Sequence, residues 1–241
     1  MTLIELLQQY GPEYLGFING DWHLSGLSMP FWIMVLSMLF GMLLSIPLAI
    51  LRVSANPWLR LPVQLYTYVL RGTPLYVQLL LVYTGFFSLG IVRGSEILSD
   101  FFRSGFNCVI LAFSLNCCAY LTEVLAGSIK AIPNEEIEAA HAYGFSRFKL
   151  YTKVILPSAL KRSLPYYSNE TILILHSTSI AFTATVPELL KIARDVNSEI
   201  FAPFFSFGLA GIIYALVATI LIVLFRRLEK RYLIFLNPTS H

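Results

Sequence analysis

Apolar residues in this chain come in blocks long enough to cross a bilayer, and that limits what it can fold into. Crossing ~30 Å of hydrocarbon takes about 20 residues of helix at ~1.5 Å each. Inside the hydrocarbon every backbone N–H and C=O must be satisfied within the segment, which favours helices over irregular spans. Five blocks stand out, at about 24–51, 75–92, 105–129, 166–186 and 201–225. Arg52 ends the first, Glu123 interrupts the third, Glu170 lies in the fourth, and Arg226 and Arg227 close the fifth. Only 13% of the residues are charged, about half the share of a soluble domain. The expected fold is therefore all-α, a polytopic membrane protein with five transmembrane helices. A short N-terminal segment, 1–23, precedes a membrane domain over 24–226, and a tail covers 227–241.

Charge placement speaks to orientation. The residues before the first block include Glu5, Glu13 and Asp21 and no Lys or Arg, unlike the basic start of a cleaved signal, so the first block is expected to stay as an anchor. Basic residues concentrate on one side of the five blocks. Arg52, Arg60 and Arg71, then Lys130, Arg147, Lys149, Lys153, Lys161 and Arg162, then Arg226, Arg227, Lys230 and Arg231 share it. The other side holds Arg93, Arg103, Lys191 and Arg194. The positive-inside rule then places the C-terminus in the cytoplasm and the N-terminus outside. Arg71 to Pro74 reads as the cytoplasmic opening of the second span, with Pro74 in the first helical turn and Arg71 reaching headgroups.

A net charge of +3 gives no basis for nucleic-acid binding. Cys108, Cys117 and Cys118 fall in one apolar block, without the Cys-x-x-Cys spacing and extra ligands of a metal site, and are expected to be buried packing residues. No metal site and no catalytic set emerges.

The longest basic connection, about 130–165, has the pattern of two short helices. Asn134 is a candidate N-cap after Pro133; Glu135, Glu136 and Glu138 suit a helix N-terminus. Ala139, Ala140 and Ala142 favour helix, and Gly144 suits a left-handed terminator. Ser146 can cap a second helix that Pro157 ends or kinks. An amphipathic connector resting on headgroups would share this composition. The spacing is more specific: Glu138-Ala139-Ala140, three residues, Gly144, nine residues, then Val154-Ile155-Leu156-Pro157. It resembles the EAA loop of membrane subunits of ATP-binding-cassette importers, departing only in Val154 for isoleucine. Arg71-Gly72-Thr73-Pro74-Leu75 with Val77-Gln78-Leu79, Asn169-Glu170, His176-Ser177-Thr178-Ser179 and Val186-Pro187-Glu188-Leu189-Leu190 are similar to the polar amino acid permeases of that family. His176, where lysine is common, is most similar to the histidine and lysine–arginine–ornithine group.

The resemblance implies a type I (MetI-like) importer fold and a coupling role for Glu138, Ala139, Ala140 and Gly144, docked on a cytoplasmic ATPase dimer. It also implies a second homologous permease subunit, in a heterodimer, and a periplasmic amino-acid-binding protein; ATP and Mg belong to the ATPase. The chain has no Gly-x-x-x-x-Gly-Lys-Ser/Thr phosphate loop of its own. For the path of a basic or polar amino acid, Glu170 is the first candidate, because an ionisable group at membrane depth usually faces a partner or an aqueous cavity. Asn169, His176, Ser177, Thr178 and Asn116 are weaker ones, each equally suited to helix–helix hydrogen bonding. Glu123 is expected near the cytoplasmic end of its span, solvated or ion-paired. A secondary transporter driven by an ion gradient is the alternative, though it would more often show internal repeats with buried coupling carboxylates.

Overall fold

A stripe of small residues organises the structure. In helix α2 (Ser28–Arg52), Ser37, Gly41, Ser45 and Ala49 recur every four residues and are all buried. They let α2 approach α8 (Gly105–Lys130) closely, as small residues do where lipid supplies no hydrophobic drive between helices. A Cβ added at Gly41 would lie 2.8 Å from the Cys117 sulfur. The two helices run the same way: Cys117 meets Met38, and Arg52 meets Glu123 near their C-terminal ends. Cys108, Cys117 and Cys118 are all free and buried, as expected from residue type.

The computed structural model describes residues 3–18 and 21–232. Before α2 come α1 (Leu3–Leu15) and a two-residue hairpin of β1 (Phe17–Ile18) and β2 (Asp21–Trp22). Between α2 and α8 lie α3 (Pro57–Gly72), α4 (Leu75–Leu80), a π-helical turn (Leu81–Gly85), α5 (Phe86–Ser88), α6 (Gly90–Arg93) and α7 (Glu96–Arg103). After α8 follow α9 (Asn134–Ala142), α10 (Arg147–Leu150), a second π turn (Tyr151–Ile155) and α11 (Leu156–Arg162). Then come α12 (Leu164–Ser177), a 3-10 segment (Thr178–Ala184), α13 (Leu189–Ile200) and α14 (Pro203–Tyr232). The expected tail, 227–241, begins inside α14, and from 233 onward it lies outside the described residues, as do 1–2 and 19–20 of the N-terminal segment.

Three described helices, α2, α8 and α14, are long and apolar enough to cross a membrane by length and composition. The other two expected blocks are built from broken helices. The second differs most from expectation. Its helical path begins not at Leu75 but at Pro57, because α3 already packs along α8: Tyr66 donates to the Leu115 carbonyl at 2.7 Å, and Val63 and Thr67 are buried. Arg71 to Pro74 is therefore an interruption within this path. Proline lacks an N–H and pushes the residue before it to an extended backbone, seen at Thr73 with φ −117 and ψ 145. Arg60, Arg71, Gln64 and a run of aromatic residues kept α3 from reading as a span.

Candidate functional site

The break between α3 and α4 leaves carbonyls at the end of α3 without helical partners. Side chains supply them. Gln78 donates to the carbonyls of Leu70 at 2.7 Å and Thr73 at 3.0 Å. Asn116, near the middle of α8, donates to the same Leu70 carbonyl at 3.1 Å and to Gln78 Oε1 at 3.0 Å. Tyr120, one turn on, donates to the Arg71 carbonyl at 3.4 Å. Gln78 and Asn116 are buried. They brace a broken helix whose carbonyls would otherwise have no donor.

Beside the break lies a cavity of about 450 Å³, lined by Arg71 to Leu75, Asn116, Tyr120, Glu170, Leu173, Ile174 and Ser177. Of the residues singled out from sequence, Glu170, Asn116 and Ser177 meet here. Glu170 is 8% exposed and makes no hydrogen bond or ion pair among the described residues. A buried carboxylate with open space before it is suited to receive a cationic group. Asn116 lines the cavity with both amide hydrogens already engaged. Ser177 donates back to the Leu173 carbonyl at 2.8 Å. Asn169 and His176 are exposed on a neighbouring face of α12 and do not line the cavity. Thr178 is fully buried and shares a 3.1 Å hydrogen bond with Tyr214 of α14.

Arg71 and Tyr120 are among the lining residues that the sequence did not assign to the site, with Gly72 to Leu75, Leu173 and Ile174. The Arg71 guanidinium carbon lies 5.2 Å from the centre of the Tyr120 ring. A Gly-x-Pro interruption of an apolar segment was the available signal, since discontinuous helices mark binding sites in transporters. Glu123 is ion-paired, as one of the two expected outcomes: Arg52 Nε donates to it at 2.7 Å, and Thr67 at 2.6 Å.

The loop after α8 forms the second feature. Helix α9 begins at Asn134, with Pro133 in the cap position and no side-chain cap, so Asn134 is not the N-cap. Its first turn holds Glu135 and Glu136, and Glu138 follows in the next. Gly144 takes φ +72. Its N–H reaches the His141 carbonyl at 2.9 Å, while Phe145 N–H reaches Ala140 at 3.1 Å, which together form a Schellman end. Ala140 is buried, whereas Glu138, Ala139 and Gly144 are exposed. Ser146 caps α10 by accepting from Lys149 N–H at 3.4 Å. Pro157 does not stop the helix. The π turn over Tyr151–Ile155 comes just before it, where the proline ring would meet the preceding carbonyls, and α11 continues. Arg162 of α11 donates to Glu136 at 3.2 Å, tying α9 to the segment that leads into α12.

Residues 37–234 match the family described as "Binding-protein-dependent transport system inner membrane component". The chain is 52% identical over 238 residues to the histidine/lysine/arginine/ornithine transport system permease protein HisM of Escherichia coli, covering 99% of each. It is 39% identical over 206 residues to the octopine transport system permease protein OccM of Rhizobium radiobacter, covering 86% of this chain and 84% of that one. Among solved structures it is similar to an amino acid ABC transporter crystallised with histidines, with TM-score 0.79, 26% identity, and 96% and 99% of the two chains covered. A cavity at a broken helix and an EAA-spaced loop are thus features of a permease subunit without an ATPase of its own, and the chain belongs to the family of binding-protein-dependent transport system inner membrane components.

Proposed function

We propose that this chain is the membrane permease subunit of an ATP-driven, binding-protein-dependent importer of basic amino acids: histidine, arginine, lysine and ornithine. The observation that carries the substrate class is Glu170, buried, with no ion pair within 4.0 Å among the described residues, and facing the cavity it shares with Arg71 at the α3–α4 break. Its carboxylate would take the cationic group of the amino acid. Backbone polar groups of Gly72 and Thr73, at the helix break, would orient the remainder.

In this reading the five spans are α2, the α3–α5 path, α8, α12 with its 3-10 extension, and α14. The N-terminus faces the periplasm, where a binding protein delivers substrate, and the C-terminus faces the cytoplasm. Helix α9, with Glu138, Ala139, Ala140 and Gly144, docks on an ATPase dimer that uses ATP and Mg. A second, HisQ-like permease subunit completes the pore. The exposed face of α12 with Tyr166, Asn169, Leu173 and His176 supports this, because it borders the cavity and leaves polar and apolar groups for a partner to cover.

The test is uptake of labelled arginine and histidine into proteoliposomes holding this chain, its partner subunits and the binding protein. ATP-dependent uptake is expected, and Glu170→Gln should lower it about tenfold or more with assembly intact, since it removes one partner of a desolvated charge pair. Uptake driven by an ion gradient without ATP would replace this reading with the secondary-transporter one.

A further inference from the structure

Two stripes of side chains line a groove that continues from the cavity at the helix break toward α9. On α8 and its C-cap, Asn116, Tyr120, Glu123, Gly127 and Ala131 are three or four residues apart and so share one face. On α11 and α12, Arg162, Tyr166, Glu170, Leu173 and Ser177 repeat that spacing. The members at the Asn116 and Ser177 end line the 450 Å³ cavity already described. Those at the other end line a second cavity of about 460 Å³, which ends on Arg162. It is open along α8, where a Cβ added at Gly127 meets nothing within 4 Å. A third cavity of about 320 Å³ lies toward α3, bordered by Gln64, Thr67 and Tyr68 and by the Arg52–Glu123 pair.

One side chain borders all three: Arg71. It rests on the Tyr120 ring, with no carboxylate oxygen within 4.0 Å among the described residues. Glu170 lies in the first cavity and Glu123 in the other two. A cation moving from Glu170 into the second cavity passes a like charge, which repels it. Arg71 stands in the last turn of α3, two residues before the extended Thr73, so the helix that carries it does not continue into α4. Glu123 offers the guanidinium an alternative partner on the far side.

We propose that Arg71 is a charge gate in this groove. While stacked on Tyr120 it bars cations from passing between the Glu170 cavity and the cavity leading to Arg162; turned toward Glu123 it lets them through. The proposal rests on the transport reading above for the identity of the natural cation, but its test does not depend on transport.

The assembled complex carrying Ser177→Cys is reconstituted, and methanethiosulfonate reagents are added from the side that holds the ATPase. A cationic and a neutral reagent of similar size are compared; the native cysteines are buried. Arg71→Gln is expected to speed modification by the cationic reagent about tenfold, with the neutral reagent little changed, and Arg71→Lys to keep the slow rate. Equal acceleration of both reagents would make Arg71 a packing residue, and no acceleration would make it a bystander; either overturns the gate. If Arg71→Gln fails to assemble, Tyr120→Leu frees the guanidinium, and absence of a cation-selective acceleration there overturns it as well. Arginine uptake by the wild-type complex separates the two ideas. Lost uptake with selective labelling removes the transport reading alone, whereas normal uptake without selective labelling removes the gate alone.

Discussion

Glu188 has no exposed surface, yet its oxygens accept from the backbone N–H groups of Leu190 and Lys191, both at 2.7 Å, capping α13. Tyr214 donates to it at 3.1 Å, joining α13 to α14. Burial, the largest influence, outweighs these hydrogen bonds and pushes its carboxyl up to about 7. Between the ordinary carboxylate range and that value the folded protein holds a proton that the unfolded chain has released. Its contribution to stability therefore falls as pH rises through that window. Glu188→Gln is expected to flatten the pH dependence of the thermal unfolding midpoint in detergent between about pH 5 and pH 8. An unchanged slope would remove Glu188 as its source. At this scale Glu170 was legible because a carboxylate in an apolar block is conspicuous. Arg71 was not, because a basic residue at the edge of an apolar block looks the same whether it meets headgroups or a cavity.

Among the elements, the loop after α8 was read closely from sequence, since its signals are local. Gly144 at φ +72 and the cap of α10 by Ser146 follow from residues a few positions apart. Pro157 carries on through a π turn because the neighbouring helix gains packing: Ile155 and Ala159 are both buried in one cluster with Ala140 and Leu150. Gly144→Val is expected to uncouple ATP hydrolysis from uptake while leaving membrane insertion intact. A branched side chain in the left-handed region costs about 1–2 kcal/mol and would redirect the chain leaving α9. Uptake per ATP hydrolysed at the wild-type ratio would exclude a hinge role. Helix α3 was hidden for the opposite reason. Its membership in the bundle depends on partners far away in sequence, such as Leu115 for Tyr66 and Glu123 for Thr67.

For the whole molecule, close approach of α2 and α8 sets the frame on which the broken path and α12 are arranged. Gly41→Leu should force these helices apart, because even a Cβ there lies 2.8 Å from the Cys117 sulfur and 3.2 Å from the Cys118 backbone nitrogen. Overpacking of this kind costs about 1–3 kcal/mol. It is expected to lower the thermal midpoint of the purified protein and its yield in the assembled complex. Wild-type values for both would mean that the contact is not tight.

The amino-acid sequence by itself determined the all-α membrane class, the places of α2, α8 and α14 in the chain, and the two-helix loop with its glycine end, though α14 runs on to Tyr232, past the expected end near 225. Each rests on hydropathy over one turn after another or on hydrogen bonds a few residues apart. Tertiary structure alone decided that the Arg71–Pro74 break stands beside Glu170 and that Asn116 is spent bracing it. It also decided that Asn169 and His176 do not line the cavity. Orphaned carbonyls at a broken helix can be satisfied by any donor the fold brings near, and the donors here come from α4 and α8. Local pattern could show that a break exists, but not which distant side chains would complete it.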